Sequence, residues 1–401
     1  MTPAERNTAV GAARGRFWVL STLCVTEITS WGVLYYAFTV LAPQISADTG
    51  WPAPAVTAAF SAGLVTSAVV GIAVGRWLDR IGPRWIMTGG SVLGSISVVA
   101  VAAAPDLRWF AVAWILAGVS MSAVFYAPAF AALTRFFGPD AVRALTILTL
   151  VAGFASTVFA PLTAVLSEYL SWRHTYVVLA GVLAVITVPA HFVGLRRPWP
   201  AVSVDHNVEP PTRTTRSGAF LALVAAFALS GLASYAVIAN LVPLMNQRGI
   251  STSAAALALG LGGAGQVLGR LGYQFLVRRI GVVPRTVLIM AGVATTTAVL
   301  GVFTSYAALV AVAIGAGVMR GVLTLLQATA VPERWGAIHY GHLSAYLNAP
   351  IMIATAVGPF VGAALASLLG GYAAMFLALG VIASAGALMA VATKPRTLGP
   401  A

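Results

Sequence analysis

The sequence predicts an all-α membrane protein whose twelve transmembrane helices form two six-helix halves. Three observations support this prediction: 59% of the residues are hydrophobic and 8% are charged, long apolar segments recur along the chain, and the second half repeats features of the first. An ordinary soluble domain has about 25% charged residues. We therefore expect lipid, rather than water, to surround most of the surface.

The apolar segments are long enough to cross a bilayer, because a spanning helix needs roughly 20 apolar residues. In the first half, the predicted spans are residues 17–41, 54–75, 85–104, 109–134, 144–167 and 175–195. In the second half, they are residues 218–245, 254–277, 286–305, 307–331, 343–369 and 371–393. The polar segment 196–217, rich in Pro, Thr and charge, is predicted as a cytoplasmic linker, and residues 1–16 and 394–401 as cytoplasmic tails.

The basic residues predict the orientation of the chain. Of the 23 lysines and arginines, 18 face the cytoplasm if the N-terminus does, whereas Arg108, Arg173 and Arg248 fall in outer loops. This asymmetry follows the positive-inside rule. We expect a multi-pass protein of the cell membrane, with both termini cytoplasmic. The net charge of +13 does not indicate nucleic-acid binding, because the arginines are dispersed rather than gathered in one patch.

Two features of the first half recur in the second. The tripeptide Arg-Ile-Gly at 80–82 recurs at 279–281, an offset of 199, and Pro161 recurs as Pro359, an offset of 198. Nearly equal offsets predict two parallel repeats related by an axis along the membrane normal. Such repeats predict a substrate site between the halves near the midplane, and transport by alternating access.

The segment 75–84, GRWLDRIGPR, resembles the loop 2–3 signature of the major facilitator superfamily. The resemblance covers nearly the whole chain, which has twelve predicted spans, a central linker and a decayed second copy of the signature. It implies the major facilitator fold and a gating role for Asp79, Arg80 and Arg84. An Asp at a helix end can dock on the terminus of a neighbouring helix; membrane anchoring is the alternative for the arginines.

Other segments resemble the monocarboxylate-porter and oxalate/formate-antiporter branch of that superfamily. The segments 31–38, WGVLYYAF, and 50–52, GWP, look like its first helix and loop. The segment 266–270, QVLGR, is similar to the arrangement by which that branch holds a substrate carboxylate. The resemblance implies Arg270 as the carboxylate ligand, whereas Gln266 departs from the acidic version of this motif.

Three ionisable side chains lie well inside predicted spans: Glu27, Arg270 and Arg320. An intramembrane charge costs at least about 2.5 kcal/mol, so such residues are functional candidates by default. Two arginines and one glutamate leave one positive charge, which a small carboxylate would neutralise. Glu27 either takes up a proton or forms a static salt bridge with Arg320, and Arg270 either binds the anion or reaches the cytoplasmic face.

Polar and aromatic neighbours extend the candidate substrate site. Trp31 and Tyr35 follow Glu27 at i+4 and i+8, and therefore share its helix face. Gln327 shares a face of its helix with Arg320. The further candidates Tyr126, Asn240 and Asn348 are either substrate ligands or residues that hold helices together.

The leading hypothesis is a secondary active transporter of a small, monocarboxylate-like anion, acting as a monomer without cofactor or metal. Whether protons are co-transported, and in which direction the anion moves, stays open. The alternative is an efflux transporter for an amphipathic drug or natural product. The aromatic first span favours it, but the drug-antiporter Gly-Pro motif is weakened to Ala160-Pro161. An enzyme needs a nucleophile and its base, and no such pair is visible.

Overall fold

The computed structural model describes residues 3–199, 211–336 and 338–393, which form helices and connecting turns. The chain divides into two compact units. The first comprises Met1–Asp205 and Ala337–Ala345, and the second comprises His206–Gly336 and Tyr346–Ala401. Residues 200–210 of the predicted linker and the predicted tail 394–401 lie outside the described residues.

The helices of the first unit are α1 (Pro3–Trp31), α2 (Ala37–Thr49), α3 (Ala53–Ile81), α4 (Pro83–Ala102), α5 (Leu107–Val124), α6 (Tyr126–Phe137), α7 (Ala141–Ala152), α8 (Ala155–Tyr169) and α9 (Trp172–Gly194). A π-helical turn, Gly32–Tyr36, joins α1 to α2, and a 3-10 turn, Gly138–Asp140, joins α6 to α7. α1 therefore includes residues 3–16 of the predicted N-terminal tail.

The second unit contains α10 (Pro211–Thr215), α11 (Gly218–Gln247), α12 (Thr252–Arg279), α13 (Val282–Val302), α14 (Tyr306–Ala330), α15 (Pro332–Trp335) and α17 (Tyr372–Val391). Between the last two lies α16 (Tyr340–Leu368). The start of α16, up to Ala345, belongs to the first unit, and the helix continues in the second unit from Tyr346.

Each predicted span has a helical counterpart. Among the described residues, nine helical segments are long and apolar enough to cross a membrane, and the bent α16 is a tenth. The other two predicted spans correspond to α12, which is 28 residues long, and to α7 with α8. α12 is less apolar because it carries Gln266, Arg270 and a basic C-terminal end, and the α7–α8 segment is interrupted at Gly153 and Phe154.

Glycines bring pairs of helices into backbone contact. A Cβ atom on Gly118 of α5 would overlap the carbonyl oxygen of Gly63 on α3, and one on Gly317 of α14 would overlap the carbonyl oxygen of Gly262 on α12. The second pair follows the first at an offset of 199 residues in both helices. Because small residues allow such close approach in membranes, the packing repeats with the same period as the Arg-Ile-Gly tripeptide.

The contact between α12 and α14 continues over about two helical turns. A Cβ atom on Gly265 would overlap the carbonyl oxygen of Ile314, and one on Gly269 that of Val318. From the other side, a Cβ atom on Gly321 would overlap the Gln266 carbonyl oxygen. The segment 266–270 is therefore held directly against the backbone of α14.

Two of the three arginines in predicted outer loops stabilise helix ends. Arg173 donates hydrogen bonds of 2.8 and 2.7 Å to the carbonyl oxygens of Ala102 and Ala104, at the end of α4. Arg248 donates to carbonyl oxygens at the end of α13, among them that of Gly301 at 2.6 Å. The last carbonyl groups of a helix have no intrahelical donor and favour a cation. These two departures from the positive-inside pattern therefore have a local structural cause.

Substitution of Gly317 by Ala should destabilise the protein, because the new methyl group would overlap the backbone of α12. Such overpacking costs about 1–3 kcal/mol. Gly315→Ala, in the same helix, is the matched control, since its Cβ would lie 3.8 Å from the Thr296 side chain, at ordinary contact distance. Thermal unfolding in detergent should give a lower midpoint for Gly317→Ala than for Gly315→Ala. Equal midpoints would contradict the close packing.

Candidate functional site

Helices α12 and α14 bring three predicted substrate ligands together in the second unit. Arg270, on α12, is 5% exposed. Arg320, on α14, donates a long hydrogen bond of 3.4 Å from its Nε to the Oε1 of Gln266. The charge of Arg270 acts on Arg320, and Tyr235 is a further electrostatic partner of Arg320. Arg320 therefore lies beside the Gln266 amide, and the like charge of Arg270 acts on its guanidinium group.

The second unit has little negative charge to balance these arginines. Its described part holds one carboxylate, that of Glu333, and this group forms an ion pair with Arg285. That pair is neutral, whereas Arg270 and Arg320 place two positive charges on helices that carry no Asp or Glu among their described residues. Guanidinium groups bind carboxylates through charge-assisted hydrogen bonds. The arrangement is chemically suited to an anion.

The predicted amide ligands of the second unit contact their own unit. The Gln327 Nε2 donates to the Asn348 Oδ1 at 2.5 Å, which links α14 to α16. The Asn240 Nδ2 donates to the carbonyl oxygen of Ala236 in the same helix at 2.8 Å, and the amide packs against Gly362. These contacts hold helices together. A role of the three amides in substrate binding stays a prediction.

Glu27, in α1 of the first unit, is fully buried. Its Oε2 accepts a hydrogen bond of 3.0 Å from the Trp31 Nε1, and its Oε1 has no hydrogen-bond partner among the described residues. A buried charged group needs a partner charge or several hydrogen bonds to offset its lost hydration. One indole N–H does not supply this, so the carboxyl group is suited to accept a proton.

An aromatic cluster adjoins Glu27 and contains Trp31, Tyr35, Phe125 and Tyr126. The Trp31 and Phe125 rings are stacked, with centroids 4.1 Å apart and planes 9° apart. The centroids of Tyr35 and Tyr126 lie 5.4 and 5.2 Å from that of Trp31. The structure therefore brings the predicted residues Trp31, Tyr35 and Tyr126 together with Glu27, and adds Phe125, which the sequence analysis missed.

Two helix irregularities lie at this cluster. The π-helical turn Gly32–Tyr36 directly follows Trp31, and Phe125 has extended backbone angles between α5 and α6. π-helical turns are frequent at functional sites. Pro128 explains the interruption at Phe125, because it has no N–H to donate to the carbonyl of Val124, where α5 ends. Pro128 could therefore have predicted this interruption from the sequence. No residue in the sequence evidently predicts the π-helical turn.

The 75–84 segment places Asp79 against the start of α16, within the first unit. α3 ends at Ile81, and Gly82 turns the chain at a φ of 78° before α4 begins at Pro83. The carboxylate of Asp79 accepts hydrogen bonds from the backbone N–H groups of Gly341, at 3.0 Å, and His342, at 2.8 Å. A helix N-terminus attracts an anion in this way.

The other groups around this segment have different environments. Arg80 is exposed. The Arg84 Nε donates to the carbonyl oxygen of Phe192 at 3.0 Å, and its guanidinium lies 4.4 Å from the centre of the Phe192 ring. Burial and the charge of Arg135 hold the pKa of the His339 imidazole below its ordinary value of 6.5. The lowered pKa favours the neutral form of the His339 imidazole beside Arg135.

A buried polar network in the second unit was missed by the sequence analysis. Arg285 pairs with Glu333, and Arg334 donates to the Thr286 Oγ1 at 2.8 Å and to the carbonyl oxygen of Thr393 at 3.2 Å. The pattern of basic residues indicates only that Arg285 and Arg334 face the cytoplasm. The structure shows that both are buried and that they connect the ends of α13, α15 and α17.

Two repeated helical units with apolar spans and buried charged residues are the architecture of a polytopic membrane protein. The model of the family described as the Major Facilitator Superfamily matches residues 23–337 and 223–400. The chain belongs to this superfamily, and the predicted fold is confirmed. It is a multi-pass membrane protein of a transporter family whose members bind small molecules and are typically not enzymes.

Individual relatives are similar at lower identity. Monocarboxylate transporter 13 of Rattus norvegicus is 26% identical over 382 residues, which cover 91% of this chain and 84% of the relative. The uncharacterized MFS-type transporter YcxA of Bacillus subtilis is 26% identical over 136 residues, 34% of this chain and 33% of that protein.

Two solved structures share the fold. A variant of the E. coli fucose:proton symporter FucP has a TM-score of 0.72 and 14% identity, covering 92% of this chain and 97% of that one. The human organic anion transporter MFSD10 has a TM-score of 0.70 and 15% identity, covering 94% of this chain and 99% of that one.

Removal of one partner of the buried Arg285–Glu333 pair should destabilise the protein strongly. Arg285 is 2% exposed, and its removal would leave the Glu333 carboxylate without its ion-pair partner. Such a loss costs about 3–5 kcal/mol of stability. Arg285→Met should therefore lower the thermal unfolding midpoint more than the double variant Arg285→Met/Glu333→Gln, in which neither charge is left. If the loss of stability in the double variant equalled the sum of the losses in the two single variants, a direct ion pair would be contradicted.

Proposed function

We propose that the protein is a secondary active transporter that moves a small, monocarboxylate-like anion across the cytoplasmic membrane by alternating access, as a monomer with both termini in the cytoplasm. One observation carries this proposal: α12 and α14 hold Arg270, Arg320 and Gln266 together in a unit whose described part has one carboxylate, already paired. The similarity to a relative named as a monocarboxylate transporter supports the same substrate class.

Arg270 and Arg320 are assigned to the substrate carboxylate. A guanidinium presents parallel N–H groups that match the two oxygens of a carboxylate. Binding of the anion would also relieve the repulsion between the two arginines, so binding and charge neutralisation favour each other. Gln266 holds the Arg320 Nε through its Oε1 and thereby orients that guanidinium. Asn240, Gln327 and Asn348 are secondary candidates for polar contacts with the rest of the substrate.

Glu27 is assigned to proton coupling. It is fully buried, one of its oxygens lacks a hydrogen-bond partner among the described residues, and the other is held by Trp31. Uptake of a proton removes the cost of a buried charge, whereas release requires access to water. A static salt bridge with Arg320 is the alternative role, and the two residues belong to different units.

Asp79 is assigned to gating. Its carboxylate holds two amides in the first turn of α16, a helix whose larger part belongs to the second unit. Release of these amides would free the start of this helix, as a change of access requires. Arg84 fixes the neighbouring start of α4 to Phe192, and the exposed Arg80 lies next to Asp79 in the same turn.

Efflux of an amphipathic drug or natural product is the second candidate, and the aromatic cluster around Trp31 favours it. Trp31, Tyr35 and Tyr126 are only partly buried and present flat apolar surfaces. A thermal-shift panel of short monocarboxylates and lipophilic cations distinguishes the two candidates, because a ligand that binds the folded state raises its apparent stability. Stabilisation by lipophilic cations alone would favour efflux.

Arg270→Ala should abolish binding and counterflow of a monocarboxylate that stabilises the native protein in this panel. Loss of one partner of a buried charged pair costs about 2–5 kcal/mol. Counterflow in liposomes and the thermal shift measure the effect. Arg279→Ala is the matched control, because it removes the same charge from the exposed end of α12.

The control variant should retain the native thermal shift. A folded Arg270→Ala protein with native counterflow would contradict the assignment of this residue to the substrate carboxylate. Arg270→Lys tests the geometry of the contact: a single ammonium group lacks the paired N–H groups of guanidinium, so only part of the affinity should return.

Glu27→Gln should reduce transport driven by a pH gradient more than substrate exchange at equal pH, because the amide cannot carry a proton. Both rates are measured in liposomes with the same labelled monocarboxylate. Glu168→Gln, at an exposed acid of the same unit, should leave the ratio of the two rates unchanged. Equal losses of both rates in Glu27→Gln would contradict proton coupling at this residue.

A further inference from the structure

The main-chain carbonyl of Asp79 is an unusual acceptor. In a continuing helix it would accept from the backbone N–H four residues later, but that residue is Pro83, which has no N–H. Two side chains donate to it instead: the Arg135 NH1 group at 3.1 Å and the Trp199 Nε1 at 3.2 Å. The main chain of Asp79 is therefore held from outside its own helix.

Trp199 is fixed in place by several contacts within the first unit. The Arg135 guanidinium lies 4.5 Å from the centre of the indole ring, and the Phe136 ring packs against it edge-on at 5.4 Å. On another side, the indole covers the turn at Gly82, where an added Cβ would lie 3.1 Å from the ring. Trp199 lies beyond the end of α9, in the predicted linker, yet it packs on the 75–84 segment.

We propose that Trp199 is a positioning residue for Asp79: by holding the Asp79 carbonyl, it keeps the carboxylate aligned with the amides of Gly341 and His342. The proposal rests on the gating role assigned to Asp79 above. It gives Trp199, at the described start of the linker, a function in the transport cycle, because displacement of this side chain would weaken the contact of Asp79 with α16. This makes Trp199 part of the proposed gate.

The test measures how often the start of α16 is released. Ser344, in the second turn of α16, is 3% exposed and is replaced by Cys in a Cys24→Ser background, which removes the single native thiol. A water-soluble maleimide then labels residue 344 of the purified full-length protein only when this turn opens. The labelling rate is compared among Asp79→Ala, Trp199→Ala, Trp199→Phe and the double variant Asp79→Ala/Trp199→Ala.

Trp199→Ala should raise the labelling rate about fivefold, the effect of losing roughly one hydrogen bond. Asp79→Ala should raise it more, because two bonds to a charged acceptor are lost. The double variant should label no faster than Asp79→Ala, since Trp199 acts through Asp79. If Trp199 had only a structural role, its loss would loosen the unit whether or not the carboxylate is present. The increase in labelling rate of the double variant would then be the product of the increases in the two single variants.

Trp199→Phe keeps an aromatic ring beside Arg135 and Phe136 and removes the indole N–H. It tests the proposal even if Trp199→Ala does not fold, and it should also label faster than the native side chain. Trp77→Ala is the matched control, because Trp77 lies in α3 near Asp79 but is 57% exposed; its labelling rate should change by less than about twofold.

The outcomes separate the two proposals. If Asp79→Ala labels faster and the folded Trp199 variants label at the native rate, the positioning role is wrong and the gating role of Asp79 stands. Multiplied rates in the double variant would also overturn the positioning role. If Asp79→Ala itself labels at the native rate, the gating role fails, and the positioning role fails with it.

Discussion

Backbone contact between helices at glycine is the interaction on which both units depend. In lipid, the hydrophobic effect does not hold helices together, so close packing and hydrogen bonds must do so. The pairs α3 with α5 and α12 with α14 meet where a glycine of one helix faces a carbonyl group of the other. In the second unit, this contact lies directly beside Gln266, Arg270 and Arg320. The candidate substrate ligands are thus attached to a closely packed part of their unit.

The buried charges are distributed unequally between the units. The first unit carries a buried acid, Glu27, with an aromatic cluster, and the second carries Arg270 and Arg320. A charge inside the membrane is retained only where a partner, a ligand or a proton offsets its cost. This rule gives each group a chemical task of its own: the arginines suit an anion, and the acid suits a proton. In the proposed transporter, the repeated architecture is the scaffold and the unrepeated side chains are the candidates for specificity.

The sequence predicts the helices and their repetition well because these depend on long apolar segments and on a constant offset. It also indicates that Arg270 and Arg320 lie inside the membrane. It does not reveal the π-helical turn after Trp31, because a periodicity averaged over a helix is insensitive to one extra residue. Similarly, the pairing of Arg285 with Glu333 is hidden, since basic residues at cytoplasmic helix ends have the same pattern whether they anchor the protein or form buried pairs.

The hydrogen-bond partners of Asp79 lie at different distances from it along the chain. Trp199 is 120 residues from Asp79, whereas Gly341 and His342 are 262 and 263 residues away. During synthesis, the ribosome therefore adds Trp199, which donates to the Asp79 carbonyl, long before it adds Gly341 and His342. N-terminal parts of a chain generally fold first. A nascent first half would thus present a prearranged carboxylate, and the arrival of α16 would complete the contact as a late step of assembly.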